Sequence, residues 1–386
     1  MHRFFATVTL LSLCLYTSAQ EAAPASHPPE ANPPASHPPG PHQPASDTAL
    51  IARSTPPDAA LRPLLYLASD SLRGRHIGLP QIDTAALYIA NEFRKAGARP
   101  VPGATGYFQV FIRKFVKEEL EDVDPVTIDD MPMSAYTIGL QLRNVVAYIP
   151  GTDPVLRKQF ILLSSHYDHI GVKDTARKEE GKMDSIYNGA RDNATGTAAV
   201  IDAARYFARH PPRRSVLLIC YTAEEEGLIG SDYYANHPLI PLKQTVFNLN
   251  IDNASYNTTH AICLFGLHRT NAYVPVRKAC VQYGLSVLDQ PSGIGDLFES
   301  SDNYSLAKKG IPAPTFSLGM TSFDRGTIKN RYHRLSDEVG NMDLEYVLRF
   351  IRAYILSAKY IADDPTPPVW AKGDVEEADW KALFAR

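Results

Sequence analysis

From about Thr48 to Ala362, short apolar runs alternate with longer amphipathic segments, an order that a layered α/β fold can bury around one core. Arg143–Ile149, Gln159–Ser164, Ser215–Thr222, Val246–Ile251, Ala261–Phe265 and Ala313–Phe316 read as strands. The Gln159–Ser164 run suits a central strand covered on both faces. Helical spacing marks Thr84–Ala96, stopped by Gly97, and also Ala194–Ala208, Asn271–Tyr283 and Leu344–Ile361. The expectation is a three-layer α/β architecture, whose ligands bind beyond the carboxyl ends of the strands. No globular repeat and no second domain shows in this body, placed at residues 48–362.

The ends of the chain read differently. Residues 1–19 have the pattern of a signal peptide: His2 and Arg3, an apolar run from Phe4 to Tyr16, then small residues. That run is shorter than the roughly 20 apolar residues a bilayer span needs, so no stable membrane span is expected. Residues 20–47 form a Pro-rich linker, with Pro-Ala-Ser-His-Pro-Pro at Pro24–Pro29 and again at Pro34–Pro39, too poor in apolar residues to pack. Together they predict an exported protein, periplasmic or secreted. Residues 363–386 read as a C-terminal tail, with Trp370 and Trp380 flanking an acidic stretch, that can form a short docking helix. Cys220, Cys263 and Cys280 remain once Cys14 leaves with the signal, so at most one internal disulfide can form. With 39 basic and 42 acidic residues the net charge is −3, which gives no footprint for nucleic acid.

Chemistry gathers where the strands end. His166-Tyr167-Asp168 follows one strand; Glu224-Glu225-Glu226-Gly227 follows another; Asp252 follows a third. Gly189-Ala190-Arg191-Asp192-Asn193 precedes the alanine-rich helix, and Tyr332-His333 comes late. Singly, these could be a surface turn, a helix cap or a solvated acidic patch. Jointly, at successive strand ends, histidine nitrogens and carboxylate oxygens suit zinc. A carboxylate between two ions can bridge them, and a further glutamate that binds neither can carry a proton.

The order His-x-Asp, Gly-Ala-x-Asp-Asn-x-Thr-Gly, Glu-Glu-x-Gly-Leu-x-Gly-Ser, Asp, Tyr-His resembles the co-catalytic dizinc aminopeptidases, metallopeptidase family 28 of clan MH. The resemblance runs from about Tyr66 to Asp343 and includes Leu67–Arg75, Ser301-Asp302-Asn303 and Gly310–Ala313. It implies an α/β/α sandwich with a mixed, mostly parallel central sheet, as in the zinc exopeptidases of the phosphorylase/hydrolase-like fold. It also implies two Zn²⁺ ions bridged by Asp192, with His166 and Asp252 on one and Glu225 and His333 on the other. Glu224 matches the general base. Asp168 matches the carboxylate that orients a liganding histidine, here His166, and Tyr332 an oxyanion donor. A non-proline cis peptide after Asp192 is implied too. The implied substrates are peptides with a free N-terminus. The protease-associated insert of some relatives has no room in Phe108–Leu142, which reads as an irregular acidic excursion.

Arg191, Arg331 and Arg334 flank these positions. Either they pair a substrate carboxylate or acidic side chain, or they point outward to surface acids. Relatives also include carboxypeptidases, one-metal glutaminyl cyclases and non-catalytic ectodomains. Two full ligand pairs argue against a cyclase, and an intact ligand set against a binding-only role. The arginines keep a carboxypeptidase open. Asp302 is either a support behind the site or the cap of the helix that follows.

Overall fold

The computed structural model describes residues 45–116, 137–179, 182–292, 295–323 and 328–385. The signal peptide, almost all of the linker, the acidic centre of Phe108–Leu142 and Gly293-Ile294 lie outside them.

Three helices open the described chain: α1 (Asp47–Ser54), α2 (Pro57–Leu67) and α3 (Pro80–Ala96). Pro80 occupies the first turn of α3, where its missing N–H is no loss, and Gly97 closes the helix at φ 93°. The helix therefore begins a turn before the Thr84 expected from spacing. Then come β1 (Phe108–Val116), β2 (Thr137–Ile149), β3 (Phe160–His166), the hairpin strands β4 (Gly171–Glu179) and β5 (Lys182–Tyr187), and α4 (Gly196–Arg209). The rest is β6 (Ser215–Tyr221), α5 (Ile229–Asn236), β7 (Thr245–Ile251), β8 (Ala261–Phe265), α6 (Tyr273–Val281), β9 (Ser286–Leu288), α7 (Asn303–Ala307), β10 (Thr315–Leu318), α8 (Leu344–Asp363) and α9 (Glu377–Phe384).

Eight strands form one sheet in the order β1-β2-β6-β3-β7-β10-β8-β9, and β4 and β5 pair separately. The middle strands β6, β3, β7 and β10 run parallel; β1, β2 and β8 introduce antiparallel pairings. This is the mixed, mostly parallel sheet of the expected α/β class. The flanks of the supposed irregular excursion are strands, with Phe108–Val116 laid against Thr137–Val145.

Side chains alternate between two layers of core. On β3, Ile161 and Leu163 join the cluster under α1–α4 and α8, whereas Phe160 and Leu162 join the one under α5 and α7. On β6, Val216, Leu218 and Cys220 go one way and Leu217, Ile219 and Tyr221 the other. Every residue of β3, β6 and β7 is buried, which is why these runs carry no polar alternation. Cys220, Cys263 and Cys280 are free and buried. Among the described residues no helix is long and apolar enough to cross a membrane.

Candidate metal centre

Register sets the site. β3 aligns with β6 so that His166 faces Tyr221, and with β7 so that Ser165 faces Ile251. The next residues, Ala223–Glu225 after β6 and Asp252 after β7, thus emerge at one level beside His166. Ala223 sits at φ 54° and turns the chain sharply after β6. Asp192 lies in the turn Ala190–Thr195 ahead of α4, and the Asp192–Asn193 peptide is cis. Gly189, at φ 57°, has no room for a side chain: a Cβ would meet the Asp192 carbonyl oxygen at 2.2 Å and His169 Cδ2 at 2.5 Å.

The two carboxylate oxygens of Asp192 look to opposite sides. Oδ1 lies 3.3 Å from His166 Nε2, which is also 3.2 Å from Asp252 Oδ1. Oδ2 lies 3.1 Å from His333 Nε2, which is in turn 3.1 Å from Glu225 Oε2. Glu224 Oε2 stands 3.9 Å from His166 Nε2. Two sets, His166–Glu224–Asp252 and His166–Asp192–Glu225, bring their donor atoms within 4.8 Å of one another, close enough to share an ion.

One participant escaped the sequence reading. His169, fully buried, meets Glu225 Oε1 through Nδ1 at 2.6 Å and lies 3.9 Å from Asp192 Oδ2. The signal was its place in the same post-strand run, directly after Asp168. Asp168 itself departs from the expected hydrogen bond to His166. Its Oδ1 is 3.8 Å from His166 Nδ1, the Asp168 carbonyl oxygen is nearer at 3.3 Å, and Oδ2 accepts from the Glu225 N–H at 3.2 Å. The carboxylate thus steadies the turn that carries the glutamates.

Tyr332 stacks on His333 with ring centroids 3.9 Å apart and lines the cleft over the cluster. Arg191 fits neither open reading. It is buried, its Nη1 donates to Asp337 Oδ1 at 2.9 Å, and its Nη2 donates to the Asn341 carbonyl at 2.9 Å. Asp337 also accepts the N–H groups of Arg191 and Asp192, so it fastens the loop of Asp192 to the segment bearing His333. Arg331 donates to the Ser336 carbonyl and Arg334 to that of Lys329. Asp302 is buried behind the cluster at the start of α7, without a capping hydrogen bond there.

Neighbours split the adjacent glutamates. Burial pushes Glu224 well above the ordinary carboxyl range; His166 opposes this, while Asp252, Glu225 and Asp302 add to it. Burial and Asp192 also push Glu225 up, but His169 and His333 outweigh them and bring it to about 2. Asp192, buried yet hydrogen-bonded by His166 and His333, falls below the usual range. Asp192, Glu224, Asp252 and His333 form the polar side of the cleft, and Phe265, Leu297 and Phe323 its apolar wall.

The sequence pattern of peptidase family M28 matches residues 144–357, more than half of the chain. The chain belongs to peptidase family M28. It is 25% identical over 272 residues to a vacuolar membrane protease of Aspergillus clavatus, a match taking in 64% of this chain and 25% of that protein. The chain spans about a quarter of the length of the curated relatives it matches first. Among solved structures, an aminopeptidase from Aneurinibacillus sp. strain AM-1 is similar at a TM-score of 0.57 and 16% identity, over 83% of this chain and 97% of that one. A glutaminyl cyclase from Porphyromonas gingivalis is similar at 0.58 and 14%, over 79% and 98%. These two likenesses establish the fold the family member shares with them.

Proposed function

We propose that this family member is an exported, zinc-dependent aminopeptidase that removes residues from the free N-terminus of peptides. The observation that carries the reading is the two-sided environment of Asp192, with His166 and Asp252 on one side and His333 and Glu225 on the other. The donors fit the metal: imidazole nitrogens and carboxylate oxygens are ordinary zinc ligands. So does the charge, because carboxylates crowded into a largely buried site call for cations to offset them. Two zinc ions would be held, one by His166 and Asp252, the other by His333 and Glu225, with Asp192 shared. When bound, zinc supplies Lewis acidity toward the scissile carbonyl and lowers the pKa of water.

The protein's own groups do the rest. Glu224, at the polar side of the cleft, takes the proton of the attacking water and delivers it to the leaving amine. Tyr332, on the same cleft, donates its O–H toward the developing oxyanion. The wall of Phe265, Leu297 and Phe323 receives the substrate's first side chain. His169 and Asp168 hold Glu225 by side chain and backbone. The export part of the reading rests on the apolar run Phe4–Tyr16 and the Pro-rich segment after it.

Mass spectrometry of peptides with free ends, blocked amines or blocked carboxyls, digested by the zinc-loaded protein, tests the reading. Residues should leave only from a free amino end. Glu224→Gln should lower kcat by about 10²–10⁴-fold with zinc content unchanged. Loss from the carboxyl end, cyclisation of N-terminal glutamine without cleavage, or full activity in Glu224→Gln would overturn it.

A further inference from the structure

The C-terminal tail does more than cover apolar surface. Residues 369–371 run beside residues 269–271: the Asn271 N–H donates to the Val369 carbonyl, the Ala371 N–H to that of Arg269 at 2.7 Å, and Val369 N–H to Asn271 Oδ1 at 2.8 Å. Trp370 is buried and donates Nε1–H to the Gly310 carbonyl at 3.0 Å. Past it, Asp374 receives Arg269 in a two-pronged pair, Nε to Oδ2 at 2.9 Å and Nη2 to Oδ1 at 3.0 Å.

That pair fixes the plane of the Arg269 guanidinium, which lies over the Phe298 ring, 4.1 Å from its centroid, and 5.2 Å from that of Trp370. Phe298 and Trp370 meet edge to face at 6.2 Å. Phe298 is itself buried beneath Gly266, where even a Cβ would touch its ring at 2.6 Å. The immediate neighbours of these two residues, Phe265 and Leu297, are two of the three residues of the cleft's apolar wall. The tail therefore holds Phe298, next in the chain to Leu297 of that wall, through an aromatic–cation stack whose strength depends on face-to-cation distance.

We infer that the C-terminal strap sets the substrate side-chain pocket: Asp374 and Trp370, touching no substrate, position Phe298 through Arg269 and so fix where Leu297 and Phe265 stand. The identity of the pocket rests on the proposed aminopeptidase reading; the mechanical link does not. Asp374→Asn loosens the guanidinium with little change of shape, and Trp370→Leu removes the stacking face.

The experiment uses the full chain and follows hydrogen–deuterium exchange together with kinetics on leucyl and alanyl substrates. In either variant, peptides covering 264–269 and 295–302 should exchange about tenfold faster. KM for the leucyl substrate should rise and the leucyl-to-alanyl ratio of kcat/KM fall, with kcat and zinc content held. Faster exchange confined to 365–385, or an unchanged leucyl-to-alanyl ratio, would reduce the strap to a structural cover and overturn the inference. If the unsubstituted protein turns over neither substrate, that counts against the aminopeptidase reading alone, and the exchange at 264–269 and 295–302 still decides the link between strap and wall.

Discussion

At Arg191 the geometry assigns a residue whose sequence position invited two different roles. Its guanidinium is committed inside the protein to Asp337 and the Asn341 carbonyl, over the Tyr256 ring at 5.3 Å. It holds Asp337, which in turn accepts the N–H of Asp192, so the arginine acts on the site through the backbone of its neighbour. Removing one partner of a buried pair leaves the other charge uncompensated. Arg191→Met should therefore cost about 3 kcal/mol, read from urea unfolding. The same variant should leave the ratio of kcat/KM for acidic and leucyl substrates unmoved. A selective loss of acidic substrates with unchanged stability would restore the substrate-binding role.

At the scale of the element, α4 carries an unusual acid. Asp202 is fully buried and takes Arg205 Nη1 at 2.6 Å on Oδ1. Burial lifts its carboxyl to about 8, against the pull of Arg205 and with the help of Glu92. An unfolded aspartate titrates near 4, roughly. Between those values the folded state holds the extra proton, so stability from this group is complete below the unfolded value and declines as pH rises to about 8. Asp202→Asn should flatten that decline, gaining on the unsubstituted protein at pH 8.5 relative to pH 5 in urea titrations. Parallel pH profiles of the two proteins would show that Arg205 keeps the acid ionised. The strongly periodic elements, α3, α4 and α8 and the buried strands β3, β6 and β7, were legible from spacing because one physical cause, burial, dictates both pattern and fold. The strands β1, β4 and β5 were not, since their surroundings rather than their own periodicity make them strands.

For the whole molecule, several carboxylates brought close together in a largely buried cluster should make stability depend on bound cations. Zinc that binds the folded chain alone stabilises it by mass action, about 4 kcal/mol at a thousandfold excess over Kd. Chelation should lower the Tm in calorimetry and zinc should restore it, whereas Asp192→Asn should blunt the response. A Tm indifferent to chelator would mean that the cluster is held by its histidines alone.

The sequence alone determined the residue types and their order: histidine and acid after successive apolar strands, Gly-Ala-Arg-Asp-Asn before a helix, two adjacent glutamates, a late Tyr-His. Pattern suffices there because strand ends in an α/β sheet converge whatever the loops do. Only the tertiary structure decided what each side chain faces. It turned Arg191 inward to Asp337, put His169 against Glu225, moved the Asp168 carboxylate to the Glu225 N–H, and laid Trp370 of the tail against Phe298. Those are long-range contacts between segments with no common periodicity, fixed by distance and burial rather than by anything local to either sequence.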